Sequence, residues 1–515
     1  MRFLSAAVLS LGMVVSAEAA EIEAQSRIDA VTVFPAGAEV ERTAKLTLDK
    51  GEHTLVFRAR IPLSATKGAI VTAASLSTPN ATWIVDPAGP LNGSVRVRGS
   101  KNAVTKHMVA ALLGSAPSTL LNTPRVGDVD ITADMIRALG CTVEIDEEND
   151  SITIDPKGFR GGSVPLEFSG RNRIPILMLA PSLHLTGFGF VPLAGGDRIG
   201  ARPLDFHMNA LIAMGAEVTQ TDEGIEARLS GRLQGTQFRL PFPSVMATET
   251  ILLAAVLAEG RTLIDNAAQE PEVIELALFL QRMGARIELQ PNRRIIVEGV
   301  EKLGSATHTL SGDRIEAFSY ITAGLVTGGS VKVYGCSQGR LVTAISTLYR
   351  MGVEFDITDD YVLAKPTSTM SPAVVSTDTH PGFMTDWQSP MLVLFTQASG
   401  MSVLHETVWD NRLGYVSGLK QMGAEIEVFD SCLGGPSCRF FERNAMHSAV
   451  VHGPSKLHGA EITMPDIRAG FSYVLAAAAA HESSTLHDVH HLERGYHRPL
   501  ESFADLGLQI RRVVD

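Results

Sequence analysis

The sequence predicts an α/β protein of two inside-out domains with three repeats each, helices inside and sheets outside, behind a small N-terminal β module. Three observations lead there. The pattern apolar helix, Leu/Met-Gly, alternating strand recurs six times: RALGCTVEI at Gly140, IAMGAEVT at Gly215, QRMGARIEL at Gly284, YRMGVEFDI at Gly352, KQMGAEIEV at Gly423 and ADLGLQIRRV at Gly507. Apolar residues are 45% and charged residues 19% of 515, so the chain can fill real cores and is not a disordered sequence. Glycine is frequent, at 46, and aromatics are only 6%, which suits many short strand–helix junctions.

Each repeat glycine stands where a helix should stop, the place that favours a left-handed cap. The strand after it alternates apolar and polar residues, as a half-buried strand does. Stripes such as ETILLAAVLAEG and SYVLAAAAAHES supply helices that must bury most of their surface. Two globular domains with a cleft between them follow, and such a cleft is a natural ligand site.

Upstream of the repeats the texture differs. Residues 1–20 have the form of a secretory signal: a positive start, an apolar run from Phe3 to Ser16, and Ala17-Glu18-Ala19 as an A-x-A-like cleavage site. Residues 21–78 read as a small antiparallel β module. Ala30–Phe34 and His53–Phe57 are its strand-like runs, and Pro35–Gly37 and Lys50-Gly51 its turns. The stretch VTVFPAGAEVER resembles the N-terminal β domain of exported bacterial proteins. No further stretch is apolar enough for a membrane span.

The formal charge of −12 argues against nucleic acid or an anionic membrane as the main partner. Four cysteines are too few for a disulfide framework. Cys432 and Cys438 are close enough to pair if oxidised, but idle thiols are expected. His487, His490, His491 and His497 cluster in sequence without a metal-ligand spacing, and no metal or other cofactor is expected.

Against this acidic background, cations gather at unit junctions. Lys101 lies in GSKNA, Arg171 and Arg173 in GRNRIP, Arg198 and Arg202 in the glycine-rich GGDRIGARPLDFH, Arg412 in DNRLG, Arg468 in PDIRAG and Arg494 in LERGYHRP. Arginine forks suit phosphate and carboxylate groups, and helix N-termini add partial positive charge. The expected ligand is a small anion, phosphorylated by preference. Asp197 lies on the glycine-rich loop, and Asp386 lies in HPGFMTDWQSP beside stiffening prolines.

These motifs, with NAAQEPEVIELALFLQRMGA, DRIEA, ETVWDNR, DIRA and ERGY, resemble the UDP-N-acetylglucosamine enolpyruvyl transferase family from about residue 84 to 512. The resemblance implies two inside-out α/β domains with the chain crossing between them twice. One would span 102–312, the other 79–101 and 313–515. It also implies transfer of enolpyruvyl from phosphoenolpyruvate to the 3-hydroxyl of UDP-N-acetylglucosamine, with phosphate release, in peptidoglycan synthesis. Asp386 matches the family aspartate often assigned as base. Lys101, Arg202 and Arg494 match the grip on phosphoenolpyruvate, and Arg173 and Arg468 match further cleft arginines. Asn102 matches a sugar contact and Arg412 the arginine after the substrate loop. Pro203, Leu204, Asp205 and His207 match the uridine side, and Ser244 and Val245 the kept part of the nucleotide segment.

Two departures stand out. Asp197 occupies the position where the family commonly has the cysteine that fosfomycin alkylates, so resistance to that antibiotic is expected. A carboxylic acid there can serve as proton donor if burial on loop closure raises its pKa. In PFPSVMATET, Phe242 and Met246 stand where the family usually has lysine and glycine, which leaves a different acceptor as an alternative. Phosphoenolpyruvate and UDP-sugars are cytoplasmic metabolites, so a cytoplasmic enzyme is expected despite the leader. The other alternative is an exported binding or envelope protein without catalysis.

Overall fold

In the computed structural model, the described residues are 81–514, apart from 198, 201, 434–437 and 442, together with the backbone of 26–34, 37–48 and 51–62. The signal-like residues 1–20 lie outside them. The N-terminal unit holds three antiparallel strands, Ser26–Phe34, Gly37–Leu48 and Gly51–Pro62, in sequential order. Both strand-like runs of this segment, Ala30–Phe34 and His53–Phe57, fall inside these strands.

The remainder is built from the six repeats. In each, a helix ends two residues before the repeat glycine, and an antiparallel strand follows. The six glycines have φ between +89° and +109°. The residue after each glycine donates its N–H to the carbonyl five positions back: Cys141 to Ile136, Ala216 to Leu211, Ala285 to Leu280, Val353 to Leu348, Ala424 to Leu419 and Leu508 to Phe503. This 6→1 closure requires the left-handed residue and satisfies a carbonyl that the helix end would leave open. A side chain at those six positions would be strained, which is why the glycine recurs.

Six sheets result, five of four strands and one of three. The first five-residue strand of the region, Ala81–Val85, pairs with both Ser484–His487 and Ile510–Val514, so the first and last strands of this region share one sheet. The helices lie inside. Every residue of Arg314–Val326 is buried, as are all but the last of Ile467–Ala479 and all but the first two of Val245–Ala255. Two separate apolar cores form around them. One gathers Ala103 to Leu310; the other gathers Ala81 to Val97 with Ala317 to Leu508. Burying a Leu or Phe side chain contributes roughly 1.5–3 kcal/mol, so both cores contribute substantially to stability.

The chain passes between the cores at 98–101 and 311–314. These segments run side by side: Gly99 and Gly312 form a bridge, Ser100 N–H donates to Ser311 O at 3.0 Å and Asp313 N–H to Arg98 O at 2.8 Å. A Cβ on Gly312 would sit 1.9 Å from Gly335 O, so only glycine fits this approach. Immediately after each crossing a helix begins, at Lys101 and at Arg314. The crossings therefore deliver two helix N-termini to one place.

Candidate active site

Lys101 is the first residue of the helix Lys101–Ala111. Its backbone N–H donates to Asp313 Oδ2 at 3.1 Å, while Asp313 Oδ1 caps the helix Arg314–Val326. Its Nζ lies 2.7 Å from Asp128 Oδ2. Asp128 is 3% exposed, at the start of the helix Gly127–Ala138. Burial raises its pKa, but Lys101 and Arg494 overcome this and hold the carboxyl below its ordinary range.

Arg494 joins the two aspartates. Its Nε is 3.4 Å from Asp128 Oδ1 and its Nη2 2.9 Å from Asp197 Oδ1. Asp197 comes from the glycine-rich loop of the opposite core, so this contact bridges the lobes. The same loop touches the other lobe twice more. Arg202 stands 5.3 Å over the Trp409 ring, and a Cβ on Gly200 would strike Asp410 Oδ1 at 1.9 Å. Arg173 donates to Arg202 O at 2.9 Å, which fixes the loop's far end. Burial, then the neighbouring Arg202, brings the Arg173 guanidinium down to about 10. Arg202 Nε is buried without a hydrogen-bond partner. A buried, unpaired guanidinium N–H is costly unless an anion meets it.

A second group faces the first. Asp386 Oδ1 accepts from Arg412 Nη2 at 2.7 Å and lies 3.8 Å from Arg468 Nε. Arg412 is 5% and Arg468 4% exposed. Burial raises the Asp386 pKa, but Arg412, Arg468 and Lys101 together hold it below the ordinary range. The carboxylate is thus ionised at neutral pH. Arg468 starts a helix capped by Asp466 and stacks 5.1 Å from the Tyr496 ring; its Nη1 is buried without a partner. Lys101 and Arg202 act electrostatically on Asp386, so the two groups form one continuous charged surface.

The remaining sequence candidates differ in burial. Asn102 is half-buried beside Lys101, Pro203 and Asp205 are exposed, and Leu204 is half-buried at the head of the helix Asp205–Ala213. His207 is buried, bonded through Nδ1 to Thr250 at 2.7 Å, and pushed down to about 3 by burial and Arg173, so it is neutral. Ser244 and Val245 open the helix Val245–Ala255. Arg171 is exposed, and Arg198 lies outside the described residues. Phe242 is packed by an arginine from elsewhere, with the Arg439 guanidinium 4.3 Å above its ring.

Several participants escaped the sequence reading. Asp128 and Asp313 position Lys101. Arg314 forms a two-point ion pair with Glu272 of the opposite lobe, at 2.9 and 3.0 Å, and its carbonyl accepts from Trp387 Nε1. Arg293 donates across to His380 O at 2.6 Å. The DRIEA and NAAQEPE motifs were the available signals; their acidic residues hold the lobes together. The four sequence-clustered histidines serve separate tasks. His487 bonds Glu461 and Thr82, and His497 accepts from Arg125 N–H, while His490 and His491 stack on each other.

Comparison with known proteins agrees with this arrangement. The EPSP synthase (3-phosphoshikimate 1-carboxyvinyltransferase) family matches residues 85–503. A UDP-N-acetylglucosamine 1-carboxyvinyltransferase of Protochlamydia amoebophila is 42% identical over 432 residues, 83% of this chain and 93% of that one. One from Dinoroseobacter shibae is 38% identical over 83% of this chain and 97% of its own length. Among solved structures, the enolpyruvyl transferase NikO from Streptomyces tendae superposes with a TM-score of 0.75 at 24% identity, covering 85% of this chain and all of that one. Two lobes of three glycine-capped repeats, closing a cationic site at their double crossing, thus make the chain a member of the enolpyruvyl transferase family.

Proposed function

We propose that the protein transfers the enolpyruvyl group of phosphoenolpyruvate to the 3-hydroxyl of UDP-N-acetylglucosamine and releases phosphate, an early step of peptidoglycan synthesis. The observation that carries this reading is the charged surface of Lys101, Arg202, Arg494, Arg412 and Arg468 around the ionised Asp386. The names of the curated relatives point to the same substrates.

In this reading the sugar oxygen attacks C2 of phosphoenolpyruvate, and Asp386 takes the hydroxyl proton. A protonated acid adds a proton to the methylene carbon, the role assigned to Asp197. Loss of that proton and of phosphate then restores the double bond. Lys101, Arg202 and Arg494 grip the phosphate and carboxylate and stabilise charge as it shifts. Asp197 lies against Arg494 before substrate binds, so an incoming phosphate competes for that guanidinium, and the displaced carboxyl takes up from water the proton it then donates. Arg202 Nε and Arg468 Nη1, both buried and unpaired, are ready donors to an anion.

Pro203, Leu204, Asp205 and His207 are assigned to the uridine, with Asn102 at the sugar. Ser244 and Val245 at a helix N-terminus are assigned to the diphosphate. Arg439 supplies positive charge beside Phe242, at the position lacking the usual lysine, which favours a nucleotide acceptor over an uncharged one. The metabolites place the reaction in the cytoplasm, and no helix among the described residues is long and apolar enough to cross a membrane. With an aspartate in place of the alkylated cysteine, the enzyme should resist fosfomycin.

A phosphate-release assay with phosphoenolpyruvate and UDP-N-acetylglucosamine tests the proposal, with product mass as confirmation. Release with another hydroxylated acceptor but not with this one would replace the acceptor. No release with any acceptor would remove the reading.

A further inference from the structure

His405, Cys432, Cys438 and His447 converge, with one ligand-type atom from each within 4.8 Å of all the others. The geometry points to a structural tetrahedral metal site of the Cys2His2 type, fitted to zinc.

Four observations support it. The spacing is that of a coordination sphere: Cys432 Sγ and Cys438 Sγ are 3.7 Å apart, and Cys432 Sγ is 3.4 Å from His447 Nε2. Zinc–sulfur bonds of about 2.3 Å and zinc–nitrogen bonds of about 2.0–2.1 Å, held at the tetrahedral angle, require about 3.8 and about 3.5 Å. The histidine tautomers are set from outside. His447 Nδ1 is 2.6 Å from Ala445 O, which makes Nδ1 the protonated nitrogen and leaves Nε2 free to coordinate. His405 Nδ1 faces Ser376 Oγ at 3.5 Å, and its Nε2 is buried without a partner on a residue that is 0% exposed. Finally, the sulfurs accept backbone N–H groups, Cys438 N to Cys432 Sγ and Phe440 N to Cys438 Sγ, both at 3.4 Å. Such bonds stabilise thiolates. Cys432 and Cys438 are free thiols, and the proposed site gives them a role.

The ligands come from the ends of three neighbouring strands of one sheet: His405 closes Gly400–His405, His447 precedes Ser448–Gly453 and Cys432 follows Glu425–Phe429. Binding of one zinc ion displaces two thiol protons and leaves a neutral centre, which suits a half-buried place. It ties down the excursion between Phe429 and Ser448, which carries Arg439 to Phe242 and to the Val408 carbonyl. It also fixes the strand end that leads, through Glu406, to Arg412.

The test uses the full chain, purified in reducing buffer without chelator. Metal analysis should find about one zinc per chain. Replacement by cobalt(II) should give the ligand-field bands of a tetrahedral centre and a thiolate charge-transfer band. Cys432→Ser with Cys438→Ser should lose the metal, and Cys141→Ser with Cys336→Ser should keep it. The site would be disproved by a wild-type chain that takes up no zinc with its thiols reduced, by cobalt spectra lacking the thiolate band, or by full metal content in the Cys432/Cys438 double variant. None of these readouts depends on the transferase reaction.

Discussion

Replacing Asp386 with Asn separates the proposed base from the ion pair that surrounds it. The amide keeps an oxygen to accept from Arg412 Nη2, now 2.7 Å from Oδ1, but loses the charge and the proton-accepting capacity. Removing a general base lowers turnover by roughly 10²–10⁴, or about 3–5 kcal/mol in the barrier. Stability should suffer too, because Arg412 and Arg468 are buried around this carboxylate. Breaking a buried pair costs about 3–5 kcal/mol, and the lower end is expected here, since Asp466 and Glu406 still act on Arg412. The sign with pH follows from the depressed Asp386 pKa. Its stabilisation is present in full above the unfolded value of about 3.9 and is lost as pH falls through the lower folded value. Wild type and Asp386→Asn should therefore differ most near neutral pH and converge in acid. Steady-state phosphate release and urea unfolding at several pH values measure both effects. Near-wild-type turnover, or a stability gap that widens on acidification, would refute the assignment.

Lys101→Ala should lower turnover by about 10²–10³ in the same assay while the chain stays folded by circular dichroism, because Arg494 still neutralises Asp128. Near-full activity would remove Lys101 from the site. Asp197→Cys should retain activity and gain a covalent fosfomycin adduct, visible by mass, that the wild type does not form; a variant that stays unmodified would mean the loop does not present residue 197 to the site. Glu316 is pushed up to about 8 by burial and by Asp313. The native state therefore holds a proton that the unfolded chain, at about 4.3, has lost, and stability should fall with rising pH between those values by about 1.4 kcal/mol per unit. Glu316→Gln should remove that contribution from the slope measured by denaturant unfolding, and an unchanged slope would count against it.

The fold was legible because its repeat is enforced by backbone chemistry. A 6→1 helix closure needs a left-handed residue, so Gly140 and its five counterparts carry the same signature in six otherwise different units. Lys101, Arg412 and Arg468 were legible because each sits in a distinctive motif at an element's edge. Asp128 was not, since VGDVD looks like any helix start; its role appears only when Arg494, 366 positions later by subtraction, folds against it. The Cys2His2 cluster was hidden for the same reason. Its ligands are spread from 405 to 447 and meet only because three strands end at one edge of a sheet, while the histidines that are neighbours in sequence point to separate tasks.

The character of the lobe interface bears on how the site works. The two apolar cores stay separate, and ionic and polar contacts join the lobes around the site: Arg494 with Asp197, Arg314 with Glu272, Arg293 with His380. Apolar packing would tie the lobes together regardless of ligand. A charge pair such as Arg494–Asp197 can instead be exchanged for a phosphate at little net cost, since both partners are about one-fifth exposed and water can reach the displaced carboxylate. Glu272–Arg314 is different. It is fully buried and two-pointed, and no anion can replace it without leaving a charge unpaired. The interface thus combines a permanent ionic anchor at the crossing, Arg314–Glu272, with an exchangeable one on the glycine-rich loop, Arg494–Asp197, where the proposed substrate would bind.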